Sequence, residues 1–345
     1  ALRPPAIAPG WHVGSFSALV SGAVHEQAAR DHDARAVSRA ELDGEFDAES
    51  DGEGAAEGSA GGATMAPAGV AATPAIVVPA ADDILRFPRG PVAGDCLHAV
   101  FERVDFTDAT AWDAAIATAL AEHPQRLQAG RDVARDEPRD AGRLPAMLRR
   151  MLDDVLATPL LSDGAPVLQL AAVPNARRLV ELAFHLPAPR LNAAALNAWL
   201  AARGYRVPRL AFAELSGYLK GFVDLIFEHE GRYWVLDWKS NHLGDRPEDY
   251  APVRLEAAMQ AHGYHLQHLL YTVALHRHLG RSLPGYAYER HFGGVLYLFV
   301  RGVRPGWRVE GRPAGVFHHR AEPGTIAALD AMLAGVAPVA EVVVA

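Results

Sequence analysis

Residues 217 to 241, GYLKGFVDLIFEHEGRYWVLDWKSN, constrain the fold more than any other stretch of this 345-residue chain. Residues 221 to 228 are rich in Phe, Val, Leu and Ile, and residues 232 to 239 in Tyr, Trp, Val and Leu. Two such runs joined by a Gly-containing turn predict a β-hairpin. With Glu230 and Gly231 as the turn, Asp224 is expected directly opposite Asp237. Side chains alternate along a strand, so Lys239 shares the face of Asp237. Two carboxylates and an ammonium are thereby expected on one patch of sheet.

Such a patch is costly unless something uses it. Like charges facing each other destabilise a sheet, and buried carboxylates need partners. A hard cation such as Mg²⁺ between the two aspartates removes the conflict, and Lys239 then stands beside the metal-bound water or the scissile phosphate. A plain surface hairpin with solvated charges satisfies the same spacing, since Asp-x-Lys is a common tripeptide. A metal-free hydrolase with two carboxylates is a further class, because facing residues sit at about the separation of a retaining glycosidase pair. No aromatic-lined sugar cleft can be argued from the sequence to support it. Composition favours a chemical role: of 33 basic residues only Lys220 and Lys239 are lysines, and both fall in this hairpin. Arginine stays charged, whereas lysine is a compact donor whose protonation can be tuned.

Asp224, a hairpin and then Asp237-Trp238-Lys239 resemble the core of the restriction-endonuclease-like PD-(D/E)xK nucleases. The longer string GFVDLIF…GRYWVLDWKSNHLG is similar to the C-terminal nuclease domain found in the RecB subunits of bacterial helicase–nucleases. Phe87 to Gly90, Cys96 to His98, Gln267 to Leu279 and His291 to Gly302 extend the match in order, over roughly residues 84 to 335. Val223 departs from the wider superfamily, where many members carry proline.

The resemblance implies an α/β fold with a mixed central sheet flanked by helices. It implies that His98, Asp224 and Asp237 hold Mg²⁺, with the Trp238 backbone carbonyl as an extra ligand, and that Lys239 completes the catalytic set of Asp224, Asp237 and Lys239. Gln267 and Tyr271, one helical turn apart, match a substrate-contacting motif; packing of Tyr271 on the sheet is equally compatible. The activity implied is that of an exodeoxyribonuclease V type enzyme acting on single- and double-stranded ends of linear DNA in double-strand break repair and recombination. RecC- and RecD-like subunits and the RecA recombinase are the partners it implies. A non-catalytic docking module with the same fold is the alternative, disfavoured by the intact Asp, Asp and Lys.

The rest of the chain frames this centre. It begins at Ala1 without an initiator Met, as a fragment of a longer protein would. No signal peptide and no long apolar run are present, so a cytoplasmic protein is expected. A single cysteine, Cys96, excludes an internal disulfide framework or a Cys-rich zinc site. Residues 1 to 20 form an N-terminal segment that could end an upstream domain, with residues 11 to 20 a short ordered stretch. Residues 21 to 80 hold eleven acidic residues and three arginines, a net of −8 that equals the net charge of the whole chain. This low-hydrophobicity, charged stretch is expected to be a disordered tether, leaving residues 81 to 345 as the nuclease domain.

Within that domain Leu97, Val100, Phe101 and Val104 make a helical stripe with His98 beside it. Helices are further expected over 110 to 122, 143 to 157, 192 to 203 and 325 to 333, and one long helix over 254 to 279. Strands are expected over 168 to 172, 179 to 184 and 294 to 303. His262, His265 and His268 read as a partly exposed helix face. No GxxxxGK[ST] motif occurs, so ATP-driven unwinding has no residues here. No base-reading motif occurs either, so cleavage is expected to be largely sequence-independent.

Overall fold

Two successive left-handed residues, Glu230 (φ 50°) and Gly231 (φ 75°), close the hairpin where the sequence places its turn. Positive φ at both central positions is the geometry whose twist matches paired strands. The computed structural model describes residues 12–21, 79–125, 142–161, 167–212 and 214–336. Apart from short 3₁₀ turns, the elements in order are β1 (His12–Ser15), α1 (Phe16–Ser21), α2 (Pro91–Arg103), α3 (Trp112–Glu122) and α4 (Arg143–Ala157). Next come β2 (Arg178–Asn192), α5 (Ala193–Ala202), β3 (Glu214–His229), β4 (Arg232–Lys239), α6 (Pro252–Ala261) and α7 (Tyr264–Ser282). The chain continues with α8 (Tyr288–His291), β5 (Phe292–Phe299), β6 (Arg308–Val309), β7 (Arg312–Pro313), β8 (Val316–His319) and α9 (Pro323–Leu333).

The main sheet runs β1-β3-β4-β5-β8, with β2 also on β3. The β1–β3 and β4–β5 pairs are parallel and the others antiparallel, the mixed sheet expected. In the hairpin Leu225 faces Leu236, Ile226 faces Val235 and Phe227 faces Trp234, the register set by the turn. The paired run ends at Leu225 and Leu236, one step before the two aspartates. Strand β2 lies along Glu214 to Phe227, so β1, opposite Gly217 to Lys220, and β4, opposite Leu225 to His229, must both occupy the other edge of β3. Between them residues 221 to 224 border a gap in the sheet. Asp224 stands at its β4 end.

Alternation sends the hairpin's side chains to two cores. Leu225, Phe227, Trp234, Leu236, Trp238, Leu296 and Leu298 pack with Leu97, Val100 and Phe101 of α2 and with Met147, Leu148, Met151 and Leu152 of α4. Val223, Ile226, Val235 and Val295 pack on the opposite face with residues of α5, α7 and α9. Asp237 and Lys239 alternate with Leu236 and Trp238, which gives them the α7 side.

Several expectations change in the structure. The single helix over 254 to 279 is two helices, because Gly263 adopts φ 71° and breaks the chain direction between α6 and α7. Residues 168 to 172 make a 3₁₀ turn at Leu170–Ala172 and no strand. The strand expected over 179 to 184 runs on to Asn192, past Pro187 and Pro189, with a register shift between Ala188 and Leu191. The ordered stretch near the start contributes a strand to the sheet beside β3. The tether expected over 21 to 80 lies, but for Ser21, Pro79 and Ala80, outside the described residues.

The histidine face is also corrected. His265 and His268 are buried, 6% and 0% exposed, because α6 and β8 cover the outer side of α7. His265 Nδ1 is 3.4 Å from His268 Nε2, His265 Nε2 is 2.9 Å from Glu256, and the His268 and His319 rings are 5.0 Å apart. Tyr205 hydrogen-bonds His319 at 3.2 Å. Burial, reinforced by neighbouring histidines, pushes His319 down to about 4 and His268 well below the ordinary imidazole value. His265 is also lowered by burial, against the pull of Glu256.

An unfolded histidine takes up its proton near pH 6.5, while these folded ones resist it. The unfolded chain therefore binds more protons between pH 6.5 and about 4, and stability should fall as pH drops through that window. Melting curves should show this decline, and His319→Gln should flatten it. A melting temperature independent of pH across the window would contradict the buried, neutral cluster.

Candidate active site

The site forms where the hairpin parts. Past Leu225 the β3–β4 ladder stops, and the side chain of Asp224 takes over: its Oδ2 accepts the Trp238 backbone N–H at 2.8 Å. A carboxylate accepting a backbone N–H is a charge-assisted bond, shorter and stronger than a neutral one. The same oxygen lies 3.6 Å from His98 Nδ1, the imidazole being almost fully buried and Asp224 18% exposed. Asp224 thus binds β4 on one side and meets α2 on the other.

Trp238 explains how His98 reaches this position. Its indole stacks on Phe101 at 3.9 Å with an 11° interplanar angle, and Phe106 meets it edge-on. Phe101 lies three residues after His98, on the neighbouring turn of α2. Such ring pairs contribute about 0.5–1.5 kcal/mol beyond area burial, and this one locks the His98 helix onto β4. Cys96, on the same helix, is a core residue; burial pushes its thiol up to about 12, which removes it from nucleophilic chemistry.

The second half of the site lies on the α7 side. Lys239 Nζ is 2.6 Å from Asp237 Oδ2, with both side chains buried. It donates to Gln267 Oε1 at 3.3 Å, and the Tyr297 hydroxyl donates to that oxygen at 2.9 Å. The ammonium also sits over the Tyr264 ring, 3.7 Å from its centroid. Gln267, expected from the sequence to contact substrate, thus faces Lys239. Tyr271 is buried in the core and meets Phe184 edge to face at 5.7 Å.

The repulsion expected between facing aspartates is therefore answered within the chain: Asp237 has Lys239, and Asp224 has a backbone amide with His98 nearby. Among the described residues no group of three His, Cys, Asp or Glu side chains is gathered to hold a metal ion. The donor chemistry nevertheless fits a divalent cation: an imidazole and a partly exposed carboxylate lie side by side, with a second carboxylate on the adjoining strand.

Arg301, which the sequence reading passed over, ties these parts together. It is 1% exposed. Its guanidinium donates to the carbonyls of Ser240 (2.8 Å), Ile84 (2.9 Å), Phe87 (2.9 Å) and Pro88 (2.6 Å). One planar fork thereby clamps the segment leading into α2 against the end of β4. The signal was an arginine closing an otherwise apolar strand. Arg304 reinforces the clamp through two hydrogen bonds to Asp83. Burial would raise the Asp83 carboxyl, but Arg304 and the Leu85 N–H outweigh it and hold it below its usual value.

This sheet, with its paired carboxylates and lysine at a parted hairpin, defines a metal-dependent class of nuclease. Residues 80–336 match the model of the PD-(D/E)XK nuclease superfamily, and the chain belongs to that family. Among curated proteins it is similar to the RecBCD enzyme subunit RecB of Escherichia coli strain K12, 39% identical over 256 residues. That alignment covers 72% of this chain and 20% of the relative. The RecB subunit of Haemophilus influenzae is 34% identical over 252 residues, covering 72% and 19%. That of Mycobacterium tuberculosis strain H37Rv is 33% identical over 293 residues, covering 76% and 25%. The chain thus spans about a fifth to a quarter of the length of these relatives. Among the described residues no helix is long and apolar enough to cross a membrane.

The Arg301 clamp makes a direct stability prediction. Arg301→Lys keeps the charge but loses the planar fork, leaving buried carbonyls unsatisfied at about 1–3 kcal/mol each. Urea unfolding should show a loss on the order of 3 kcal/mol; a loss within about 0.5 kcal/mol, the size of an ordinary surface substitution, would show that the clamp does not hold α2 in place.

Proposed function

We propose that this chain is the Mg²⁺-dependent nuclease domain of a RecBCD-type helicase–nuclease. It hydrolyses phosphodiester bonds of linear DNA from its ends, with little sequence preference, in double-strand break repair and recombination. The observation that carries the reading is the intact constellation at the parted hairpin: Asp224 beside His98, and Asp237 ion-paired with Lys239 one strand away. Subunits like RecC and RecD are the proposed partners, with RecA a further one, and the cytoplasm the proposed compartment.

His98, Asp224 and Asp237 would hold the cation, together with the Trp238 carbonyl. A divalent cation there supplies Lewis-acid polarisation of the phosphodiester and lowers the pKa of the attacking water. Asp224, tied to the Trp238 amide, keeps its carboxylate oriented as the strands separate. Lys239 offers a fixed positive charge to phosphate oxygens as negative charge grows on them. Gln267, through its oxygen, sets the direction of that lysine. Tyr271 supports the helix from the core in this reading, and any contact with DNA is secondary to that packing. Deep burial of Asp237 and Lys239 excludes bulk water and strengthens both charges.

End-labelled linear single- and double-stranded DNA and a closed circle test the reading. Linear substrates should be degraded with Mg²⁺, spared with EDTA, and cut at a rate at least about a hundredfold lower by Lys239→Gln. Because that variant leaves Asp237 buried beside a neutral partner, its rate is to be read well below its melting temperature. DNA binding without cleavage by the wild type would favour the docking module; cleavage undiminished by EDTA or by Lys239→Gln would remove this site from the chemistry.

A further inference from the structure

We propose that the open face of β3 beside the gap is the track along which a single DNA strand reaches Asp224, with Tyr218 stacking on a base and Lys220 meeting a phosphate. This rests on the nuclease reading and names the form of substrate that the site receives. It stands on a stripe of side chains that leads away from Asp224 outside the helical layer.

Alternation along β3 sends Leu219 and Val223 into the core shared with α5, α7 and α9. Tyr218, Lys220, Phe222 and Asp224 therefore face the other way, toward the side from which His98 meets Asp224. Among the described residues, the core on that side takes only Leu225 and Phe227 from β3. The helical layer thus stops at Asp224, and the sheet runs on beyond it. Tyr218 is 39% exposed, and Lys220 and Phe222 are half-buried. Both neighbouring strands continue the open face. Val13 of β1 lies opposite Tyr218 and is exposed. Pro187, His185 and Ala183 of β2 lie opposite Tyr218, Lys220 and Phe222, and all three are exposed.

The chemistry of the stripe selects its occupant. It ends at Asp224, so a molecule lying on it is continuous with whatever the candidate metal site holds. A ring, an ammonium and a second ring follow one another on alternate residues. Rings for bases and positive charge for phosphates are the means by which proteins hold single strands. The Lys220 ammonium lies 5.0 Å from the centroid of the Phe222 ring, which supports the charge and draws it toward the gap. This gives a role to the second of the chain's two lysines.

Spacing separates a single strand from a duplex. Side chains on one face of a strand recur every ~6.6 Å, about twice the rise per nucleotide in duplex DNA. Bases laid out at that pitch are unstacked from one another, so the track takes an unpaired strand. From Asp224 to Tyr218 is ~20 Å along β3, room for about three nucleotides at that pitch.

Binding is measured apart from cleavage, by fluorescence anisotropy of labelled oligo(dT) in EDTA, with the full chain and its Tyr218→Ala, Tyr218→Trp and Lys220→Gln variants. Tyr218→Ala should weaken binding by about tenfold, and Tyr218→Trp, which keeps a stacking face, should restore it. Lys220→Gln should lower the slope of log affinity against log salt by about 0.7, the share of one phosphate on a single strand. A blunt duplex should lose less affinity with each change. Tight binding by both Tyr218→Ala and Lys220→Gln, an equal loss for the duplex, or no binding of oligo(dT) by the wild type would overturn the proposal. Should the alanine variant not fold, the salt slope of Lys220→Gln decides alone. If the wild type cuts linear DNA with Mg²⁺ while the variants bind as it does, the nuclease reading survives and the track does not. If the variants lose binding as expected in a chain that cuts nothing, the track stands as a single-strand site and the nuclease reading fails.

Discussion

The hydrogen bond from the Trp238 amide to the Asp224 carboxylate is the contact on which the site depends. A sheet normally satisfies each backbone N–H with a carbonyl of the next strand. Here β3 must serve β1 along its first half and β4 along its second, on one edge, and the two neighbours cannot meet without a break. At that break a side chain does the work of the missing backbone partner. The consequence is a carboxylate held rigidly at a gap in the sheet, partly exposed to what enters the gap. His98 approaches it from the helical layer on one face, and Lys239 and Gln267 occupy the other face one strand along.

Positions this close to one another demand a stiff surround. Two fixtures supply it, and neither belongs to the proposed catalytic set. The Trp238–Phe101 stack locks α2 onto β4 from within the apolar core. Arg301 joins the chain before α2 to the chain after β4 by four carbonyl contacts. Both act on the same pair of elements, so His98 is placed by packing and by polar clamping together. An arginine suits the clamp because its donors diverge in one plane and its charge does not depend on pH.

Much of this was legible in the sequence, for local reasons. The Glu230-Gly231 turn sets the hairpin register, and the register puts Asp237 and Lys239 on a shared face; both follow from period two and turn chemistry. The stripe of Leu97, Val100 and Phe101 places His98 on a helix by period 3.6. What could not be read involves partners far apart in the chain. The gap beside Asp224 arises because residues 12 to 15 join an edge more than 200 residues away in sequence. Arg301 finds its acceptors around Ile84 to Pro88, and Tyr297 meets Lys239 only through the β4–β5 pairing. The histidines of α7 were misread for a related reason: helical spacing shows which residues share a face, but not that β8 and α6 return to cover it.

Binding of Mn²⁺, followed by the loss of its free-ion electron paramagnetic resonance signal, tests most directly whether the parted hairpin is a metal centre. It needs no DNA and no turnover. The account predicts that the wild type binds the ion and that Asp224→Asn and His98→Ala each weaken binding by at least about tenfold, while both variants keep the wild-type fold by circular dichroism. Folded variants that bind Mn²⁺ as tightly as the wild type would contradict it, and would place any metal the domain uses away from the gap between β3 and β4.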